Sequence, residues 1–529
     1  MVTLKALSLG LLASPTFAIN YTQPYRPQFH FSPTKNWMND PAGLIYHNGN
    51  YHLYFQYNPG GIEWGNMSWG HATSDDLTHW QEQPVALLAR GFPDNVTEMF
   101  FTGSAVADEQ NTSGFGAGGK TPLVALYTSY YPIAQTLPSG KEVKTNQQSQ
   151  SLAYSLDDGT TWTTYDAGNP VIHNPPSPYE EEYQNFRDPF VFWHAETRKW
   201  IMVSTLAGIH KLALWTSDNL KDWSHASFFG PFNAVGGVWE CPNLFPLDLD
   251  SSTKWVMVMG LNPGGPPGTV GSGTQYFIGD FDGTTFVPDE DSVYEGNKSA
   301  NWMDWGPDFY AAASYNGLDE RMAVGWMNNW QYGEKIPTYP WRSAMSTPRQ
   351  LSLKTIGGKP TLIQRPHAQI QSIEGKDHSS SWKFFEEGTQ DLGSVGKTLD
   401  IELSFSASNA TDFGIIVQAT PDFKEQTKIG YNFTSQMIFV DRRNSGESSF
   451  DGTFASIYHA PLAPSYDGTV HLRILVDWSS VEVFGGQGET TLTAQIFPDR
   501  SATFARLFSN GGGVEDVKVD MKRVSSIWN

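Results

Sequence analysis

The sequence contains only one cysteine, Cys241, among its 529 residues. No disulfide can form within the chain, so its stability has to come from packed cores. Basic residues are also few, with 34 Lys and Arg against 55 Asp and Glu, and the formal net charge is −21. Because nucleic acids and anionic lipids both require clustered positive charge, we predict neither nucleic-acid nor membrane partners. A neutral ligand such as a sugar is compatible with this composition.

Long hydrophobic runs are absent too. No stretch reaches the roughly 18 apolar residues of a membrane helix. The first 18 residues contain Lys5, a short apolar run and small Thr16 and Ala18 at the end, which predicts a secretory signal peptide over 1–18. Seven Asn-X-Ser/Thr sequons fit export, so we predict a secreted, extracellular glycoprotein. The candidate glycosylation sites are Asn20, Asn66, Asn95, Asn111, Asn297, Asn409 and Asn432.

Long amphipathic helical patterns are scarce, whereas aromatic residues are abundant, at 19 Trp, 22 Tyr and 32 Phe. Short aromatic and β-branched runs, such as 51–57, 123–131, 200–205 and 254–260, are bounded by Gly, Asn, Asp or Pro. Such runs are typical of strands. The sequence therefore predicts an all-β fold.

Two internal repeats indicate how these strands are organised. One is a turn rich in Asp, Asn and Gly that closes on an aromatic residue, at Trp80, Trp162, Trp223 and, more weakly, Phe286. The other is a polar residue, a breaker and then an apolar run. Its copies are Asp40-Pro41, Thr102-Gly103, Asp188-Pro189, Glu240-Cys241-Pro242 and Trp305-Gly306-Pro307.

Proline is tolerated as the first residue of a strand, so the second repeat predicts five strands that begin alike. Five similar multi-stranded units predict a five-bladed β-propeller over 19–345, with its innermost strands around a central channel. Unrelated Pro-led strands of a large sandwich are the alternative. The Pro- and Gly-rich segment 346–370 is expected to be a linker, and residues 371–529 a second, smaller all-β domain, most simply a β-sandwich.

Three acids, Asp40, Asp188 and Glu240, stand at the predicted strand ends. Carboxylates that share a site separate their pKa values, and one ionised acid beside one protonated acid suits glycoside hydrolysis. Arg187 is expected to keep Asp188 ionised. No nucleophile-elbow sequence occurs, which argues against Ser-His-Asp chemistry. The 13 His are scattered, so we expect no metal site, and we expect no cofactor. Cys241 is interpreted as a packing residue.

Several segments together resemble glycoside hydrolase family 32, which includes invertases, inulinases and levanases. The three signature motifs are similar to Trp37–Asn39 with Asp40-Pro41, to Phe186-Arg187-Asp188-Pro189 and to Trp239-Glu240-Cys241-Pro242. Further segments of resemblance are 56–59, 64–66, 101–104, 326–330 and 479–489. The resemblance covers nearly the whole chain after residue 18. Within the family, it is greatest to secreted fungal exo-inulinases.

The resemblance implies a five-bladed propeller followed by a β-sandwich and a retaining double displacement. It implies that Asp40 is the nucleophile, that Glu240 is the acid and base, and that Asp188 stabilises the transition state. Retention requires the two reacting carboxyl groups to lie about 5 Å apart. The residues implied to contact the terminal fructose are Asn39, Gln56, Trp64, Thr102, Arg187 and Trp330.

We expect an exo-acting β-fructosidase that releases terminal fructose from inulin, levan and sucrose. The alternatives are an invertase or fructosyltransferase with the same chemistry, or a non-catalytic fructan-binding protein. Relatives commonly have Asn where this chain has Ala42, and we hypothesise that Ala42 shifts the balance between water and sugar acceptors. A monomer is favoured, and no residue assigns a role to the second domain.

Overall fold

The computed structural model describes residues 21–296 and 299–528. The predicted signal peptide 1–18 and the sequons at Asn20 and Asn297 lie outside the described residues. Within those residues the regular structure is almost entirely strand, so the predicted all-β class is confirmed. The helical elements are short 3₁₀ turns at Glu180–Glu182, Ala207–Ile209, Glu290–Ser292 and Ala368–Ile373.

Five antiparallel sheets follow one another between residues 36 and 366, and the predicted five-bladed propeller is confirmed. Sheet 1 has β1 (Asn36–His47), β2 (Asn50–Asn58), β3 (Ser68–Ser74) and β4 (Gln81–Leu87), and sheet 2 has β5 (Met99–Ala107), β6 (Leu123–Tyr131), β9 (Gln147–Ser155) and β10 (Thr163–Thr164). Between β6 and β9 in the chain, β7 (Gln135–Thr136) and β8 (Glu142–Val143) form a separate two-stranded ribbon. Sheet 3 has β11 (Phe186–His194), β12 (Lys199–Leu206), β13 (Lys211–Ser217) and β14 (Trp223–Phe229).

The last two blades complete the ring. Sheet 4 has β15 (Val238–Leu249), β16 (Ser252–Asn262), β17 (Gly273–Phe281), β18 (Phe286–Pro288) and β19 (Asn301–Trp302); sheet 5 has β20 (Tyr310–Ser314), β21 (Arg321–Met327), β23 (Ala344–Met345), β24 (Arg349–Ile356) and β25 (Lys359–Pro366). β22 (Trp341–Arg342) lies between β21 and β23 in the chain but pairs in parallel with β1. This pairing joins the end of the ring to its beginning.

The hairpin repeat marks the turn between the third and fourth strands of blades 1 to 4. In each turn the side-chain oxygen of one Asp or Asn accepts a hydrogen bond from backbone N–H groups two to four residues further along the chain. These acceptors are Asp76, Asp157, Asn219 and Asp282. The side chain therefore mimics a backbone turn, which is why the sequence signal is so regular.

The linker prediction for 346–370 is contradicted by the pairing of the strands. β24 pairs with β21 and β25 pairs with β24, so both are outer strands of blade 5. Their turn uses Gly357 and Gly358, which have positive φ, instead of the Asp-aromatic pattern of the other blades. We propose that the propeller domain extends to Pro366 and that the connector is no longer than the 3₁₀ turn Ala368–Ile373.

Two six-stranded antiparallel sheets form the predicted C-terminal β-sandwich. One sheet has β26 (Glu374–Phe385), β37 (Val514–Val524), β28 (Leu399–Ser406), β33 (Thr469–Asp477), β34 (Ser480–Gly485) and β35 (Thr490–Gln495); the other has β27 (Gly388–Ser394), β36 (Phe504–Asn510), β29 (Asp412–Ala419), β30 (Gln426–Asn432), β31 (Met437–Asn444) and β32 (Ile457–Pro461). Alternating apolar residues of both sheets, such as Ile401 and Leu403 of β28 and Ile415 of β29, fill one core between them.

Candidate active site

Each innermost strand of the propeller has a break in its pairing register near its first residues. The breaks fall between Met38 and Pro41, Phe100 and Gly103, Arg187 and Phe190, Glu240 and Asn243, and Tyr310 and Ala313. Bulges of this kind redirect side chains and often lie beside active sites. Three non-glycine residues at these breaks, Asp188, Cys241 and Ala311, have positive φ, so backbone strain is concentrated at this end of the channel.

Asp40 lies in the bulge of β1 and accepts three hydrogen bonds. Thr102 Oγ1 donates to its Oδ2 at 2.7 Å, and Asn39 Nδ2 donates to its Oδ1 at 3.1 Å. The third donor is the Cys241 thiol, whose Sγ lies 3.4 Å from Oδ2. Asp40 is 9% exposed. The carboxyl group is therefore held in one orientation while part of it remains accessible.

Asp188 is anchored through the backbone of the neighbouring blades. Its N–H donates to Thr128 Oγ1 at 2.9 Å, and the N–H of Cys241 donates to its Oδ2 at 3.0 Å. The Cys241 thiol lies 3.8 Å from the same oxygen. Because this thiol also contacts Asp40, Cys241 connects two acids that are 148 residues apart in the chain.

Glu240 lies at the start of β15 between a cation and a phenol. Arg187 Nη2 donates to its Oε1 at 3.0 Å, and the Tyr310 hydroxyl donates to its Oε2 at 2.5 Å. Its side chain is 19% exposed, against 5% for that of Asp188. Glu240 is therefore both oriented by two donors and better placed than Asp188 to exchange a proton.

Burial and mutual repulsion raise the pKa of two of these acids. Burial raises the pKa of Asp40 and the negative charge of Glu240 raises it further, while the bonds from Thr102, Asn39 and Cys241 oppose the rise. Burial raises the pKa of Asp188 to about 7, against the opposing charge of Arg187. A cluster of three acids with one guanidinium therefore retains a proton in weakly acidic solution.

The expectation that Arg187 keeps Asp188 ionised is wrong. The guanidinium turns toward Glu240, at 3.0 Å, and its closest approach to Asp188 is 3.9 Å. The partial attraction at that longer distance does not offset the burial of Asp188. Adjacency in sequence pointed to Asp188, but successive side chains of a strand point to opposite faces, and Arg187 meets its partner across the channel instead.

The other predicted contact residues surround this cluster to different degrees. Asn39 and Thr102 hydrogen-bond to Asp40 directly. Trp330 packs on Trp37, at 5.7 Å between ring centroids, and the Trp37 indole N–H donates to Asn39 Oδ1. The structure thus brings Asn39, Thr102 and Trp330 into one connected group around the first acid.

Gln56 and Trp64 lie further from the acids. Gln56 is buried and donates from Nε2 to the Phe100 carbonyl, and Trp64 is 40% exposed with its ring 6.0 Å from that of Phe101. Both contacts reach residues just before Thr102, and among the described residues neither side chain hydrogen-bonds to an acid. Glu334 fixes the Trp64 loop by accepting the Trp64 N–H at 3.0 Å.

The sequence did not predict the contacts of two residues in this cluster, Cys241 and Tyr310. Cys241 was expected only to pack, and it is buried as expected, but its thiol also contacts Asp40 and Asp188. Tyr310 was missed because the fifth copy of the strand repeat was assigned to Trp305–Pro307. That segment contacts the sandwich, where the Trp305 N–H donates to the Thr491 carbonyl, and the fifth bulge follows Tyr310 instead.

Ala42 is fully buried in an apolar cluster with Tyr54, Trp69 and Phe100. Its methyl group packs between blades 1 and 2. The hypothesis that position 42 shifts the balance between water and sugar acceptors stays a prediction. Its test is the product ratio of the Ala42→Asn variant, and the stability of that variant has to be measured as well, because an amide would enter an apolar site.

The described sequons differ in accessibility. The exposed asparagines are Asn95, Asn111 and Asn409. Asn66 and Asn432 are half-buried, and their amide nitrogens donate to Asn58 Oδ1 and Asp412 Oδ1. An attached glycan needs open space at the amide nitrogen, so we propose the three exposed asparagines as the better glycosylation candidates.

In the described part of the chain, no group of three or more His, Cys, Asp or Glu side chains is arranged to hold a metal ion. No helix in residues 21–296 and 299–528 is both long and apolar enough to cross a membrane.

Comparison with known proteins gives matches along the whole chain. The family model described as glycosyl hydrolases family 32 N-terminal domain matches residues 30–366, and the model described as glycosyl hydrolases family 32 C terminal matches residues 369–524. An extracellular exo-inulinase of Aspergillus awamori is 66% identical, over 99% of each chain. A levanase of Bacillus subtilis (strain 168) is 42% identical, over 99% of this chain and 74% of the levanase.

Among solved structures, the crystal structure of exo-inulinase from Aspergillus awamori superposes with a TM-score of 0.95. It is 67% identical in sequence, and the match covers 96% of this chain and all of that one. The similarity therefore extends over both domains.

Proposed function

The chain belongs to family 32 of the glycosyl hydrolases, and from that premise we propose that it is an extracellular exo-acting β-fructosidase. Its substrates would be the terminal non-reducing β-fructofuranosyl residues of inulin, levan and sucrose. The observation that carries the proposal is the convergence of Asp40, Asp188 and Glu240, from three different blades, on one thiol and one guanidinium. The names of the relatives, exo-inulinase and levanase, support the choice of fructans.

In the first step, the Asp40 carboxylate attacks the anomeric carbon of the terminal fructose. The bond from that carbon to the glycosidic oxygen breaks, and Glu240 gives its proton to the departing oxygen. The products are a fructosyl ester of Asp40 and the shortened chain, or glucose from sucrose. Three donors to the Asp40 carboxyl group, from Thr102, Asn39 and Cys241, keep it oriented for the attack.

In the second step, water attacks the same carbon from the face that the leaving group vacated. Glu240, now a carboxylate, takes the proton of that water, and the bond to Asp40 breaks. Fructose leaves with its original configuration. Arg187 and Tyr310 hold the two oxygens of Glu240, so the same group is in place for both proton transfers.

Asp188 is proposed to bind fructose hydroxyl groups. Because its pKa is raised to about 7, it carries a proton in weakly acidic solution and can donate a hydrogen bond as well as accept one. Contacts that strengthen as the ring becomes oxocarbenium-like lower the barrier. Asn39, Gln56, Trp64, Thr102, Arg187 and Trp330 are proposed to complete the fructose pocket.

The test is product analysis by chromatography after incubation with inulin, levan and sucrose separately. Fructose as the first and main product from all three supports the proposal. Activity confined to sucrose would identify an invertase, and longer oligosaccharides at high sucrose would identify a fructosyltransferase. No product from any of them would leave a fructan-binding protein.

Variants test the assigned roles. Asp40→Ala and Glu240→Ala should each lower kcat by at least about 10³-fold, the usual loss when a nucleophile or proton donor is removed. Circular dichroism and thermal unfolding control for folding. With an aryl β-fructofuranoside, whose leaving group needs little protonation, external azide should restore turnover of Glu240→Ala in part and give an azide adduct of retained configuration. An adduct of inverted configuration would contradict the double displacement.

A further inference from the structure

A second cavity lies at the opposite end of the propeller from the acids. It has a volume of about 690 Å³ and is lined by blades 2, 3, 4 and 5. Asp188 is at the start of β11 and His194, at the cavity, is at its end. Six residues of strand span about 20 Å, so the cavity is well separated from the acids.

The central channel does not connect the two ends. The space directly beneath the acids is about 20 Å³, room for about one water molecule. Below it, Asn316 donates from Nδ2 to the carbonyls of Ala105 and Val191, and its backbone pairs with Leu44 and Tyr46. A molecule in the cavity therefore cannot be on its way to the acids.

Aromatic rings form two walls of the cavity. On one wall Trp193 is half-buried and contacts Trp200 at 5.1 Å between centroids. On the other, half-buried Trp255 contacts Phe281 at 5.0 Å. Rings that are supported from behind and open in front offer flat apolar surfaces to a ligand, and the C–H face of a sugar ring is such a partner.

A half-buried arginine supplies polar groups to the same cavity. Arg321 donates from Nη1 to the Tyr315 carbonyl, and its guanidinium lies 5.0 Å from the Phe245 ring. Among the described residues it has no carboxylate partner, and its Nε and Nη2 donate to none of them. Burial lowers its pKa to about 10. Nε and Nη2 of this half-buried guanidinium are therefore available to donate to water or to a ligand in the cavity.

The rim adds exposed acceptors rather than positive charge. Glu109, Glu196 and Asp280 line the cavity, with Asp280 also paired to Lys254. Three carboxylates beside a single guanidinium disfavour an anionic ligand, in a chain of net charge −21. Hydroxyl groups can satisfy both the free donors and the acceptors, so the lining suits a neutral polyhydroxylated molecule with apolar faces.

We propose that this cavity is a second carbohydrate-binding site, which holds a non-reacting stretch of the fructan chain between Trp193 and Trp255 with its hydroxyls on Arg321. The identity of the sugar rests on the proposed function, whereas the site itself, away from the acids, is an addition to that function. Its effect would be to keep the enzyme on long fructan, without any effect on sucrose.

The binding experiment uses the full chain with Asp40→Ala, which cannot turn over, titrated with an inulin-type tetrasaccharide by calorimetry. Two binding events are expected. Adding Trp255→Ala should weaken one of them about tenfold, the effect of losing an aromatic contact. Because Trp255 also packs on Phe281, a second variant, Ala195→Arg, fills the cavity from an exposed turn without removing a contact.

Turnover gives an independent readout. In the otherwise unmodified enzyme, Trp255→Ala and Ala195→Arg should raise KM for long-chain inulin about fivefold and leave kcat/KM for sucrose unchanged. Tyr466→Ala, an exposed aromatic of the sandwich, is the matched control and should change neither.

The outcomes separate the two proposals. A single binding event, or two events that neither cavity variant affects, would overturn the second site. Failure of the unmodified enzyme to release fructose from any fructan would overturn the proposed function instead. Equal loss on sucrose and inulin would show that the variants act on the fold, and would also overturn the second site.

Discussion

Single side chains around Asp40 control its protonation. A nucleophilic carboxylate has to be ionised, yet burial and the charge of Glu240 both raise the pKa of Asp40. The opposing contribution comes from neutral donors, of which the Thr102 hydroxyl at 2.7 Å is the shortest. The hydroxyl at position 102 is therefore a functional group and not only part of the pocket wall.

Replacing Thr102 by Val removes that donor while nearly preserving shape. The pKa of Asp40 should rise further, so the acidic limb of the kcat/KM profile should move to higher pH. At the acidic end kcat/KM should fall about tenfold, the cost of one charge-assisted hydrogen bond. The measurement is the pH profile on sucrose. Thr102→Ser retains the hydroxyl and should keep the original limb; equal profiles for Val and Ser would contradict the assignment.

Tyr310 provides a second test at a single side chain. Tyr310→Phe removes only the hydroxyl that donates to Glu240 Oε2. With Glu240 held by Arg187 alone, kcat on sucrose should fall about tenfold to a hundredfold with little change in KM. An aryl β-fructofuranoside needs less protonation of its leaving group and should lose less. A loss that is the same for both substrates would show that the phenol does not act through the proton donor.

Among the elements, the bulged inner strands place the functional groups. A regular strand would direct residues 240 and 241 to opposite faces, whereas the bulge of β15 gives Cys241 a φ of 50°. From there its N–H and thiol both reach Asp188, and Glu240 remains free to meet Arg187. The left-handed backbone costs about 1–2 kcal/mol for a residue with a Cβ, and the rest of the blade has to sustain it.

The strain of the left-handed backbone can be measured by comparing glycine variants of two neighbouring alanines in the fifth bulge. Ala311 has a φ of 49°, whereas Ala312 is not in the left-handed region, and both are buried. Ala311→Gly should therefore destabilise the protein by about 1–2 kcal/mol less than Ala312→Gly, because glycine relieves strain only at the first position. Urea unfolding of the two variants gives the comparison. Equal losses would show that the bulge is unstrained.

At the scale of the whole molecule, buried ion pairs join the propeller to the sandwich. Arg349 of β24 binds Asp304 and, across the interface, Glu482 at 2.8 Å. Arg442 of the sandwich binds Asp308 at 2.7 Å. All of these side chains are fully buried, so removing one partner would leave an uncompensated charge, at a cost of about 3–5 kcal/mol. The two domains are therefore expected to unfold together.

His30 makes this interface sensitive to pH. Burial lowers its pKa, but hydrogen bonds to Asp477 and Glu482 outweigh that and raise it to about 9. Since the folded state holds the proton more tightly than the unfolded chain, the stabilisation is complete below pH 6.5 and is lost as pH rises through 9.

The free energy of unfolding should accordingly fall by up to about 1.4 kcal/mol per pH unit between pH 7 and 9. His30→Gln should lower stability at pH 6 and flatten this slope. Urea unfolding at several pH values is the measurement, and His459→Gln, an exposed histidine of the sandwich, is the control that should keep the slope. An unchanged slope in His30→Gln would contradict the assignment.

Features that repeat locally could be predicted from the amino-acid order alone. Asx turns closing on an aromatic residue marked four hairpins, because one side chain satisfies the turn without help from distant residues. Where blade 5 used Gly357-Gly358 instead, the sequence suggested a linker. Asp40, Asp188 and Glu240 were found because bulges with proline recur at the strand starts, and the family motifs coincide with them.

Which groups meet across the channel depends on how the blades close into a ring. Arg187 is adjacent to Asp188 in the chain yet binds Glu240, and Tyr310 reaches the same acid from blade 5. Closure of the ring determines these contacts, since they join strands more than 50 residues apart whose relative positions no local pattern specifies. The same holds for the raised pKa of Asp188, which follows from burial that exists only in the folded chain.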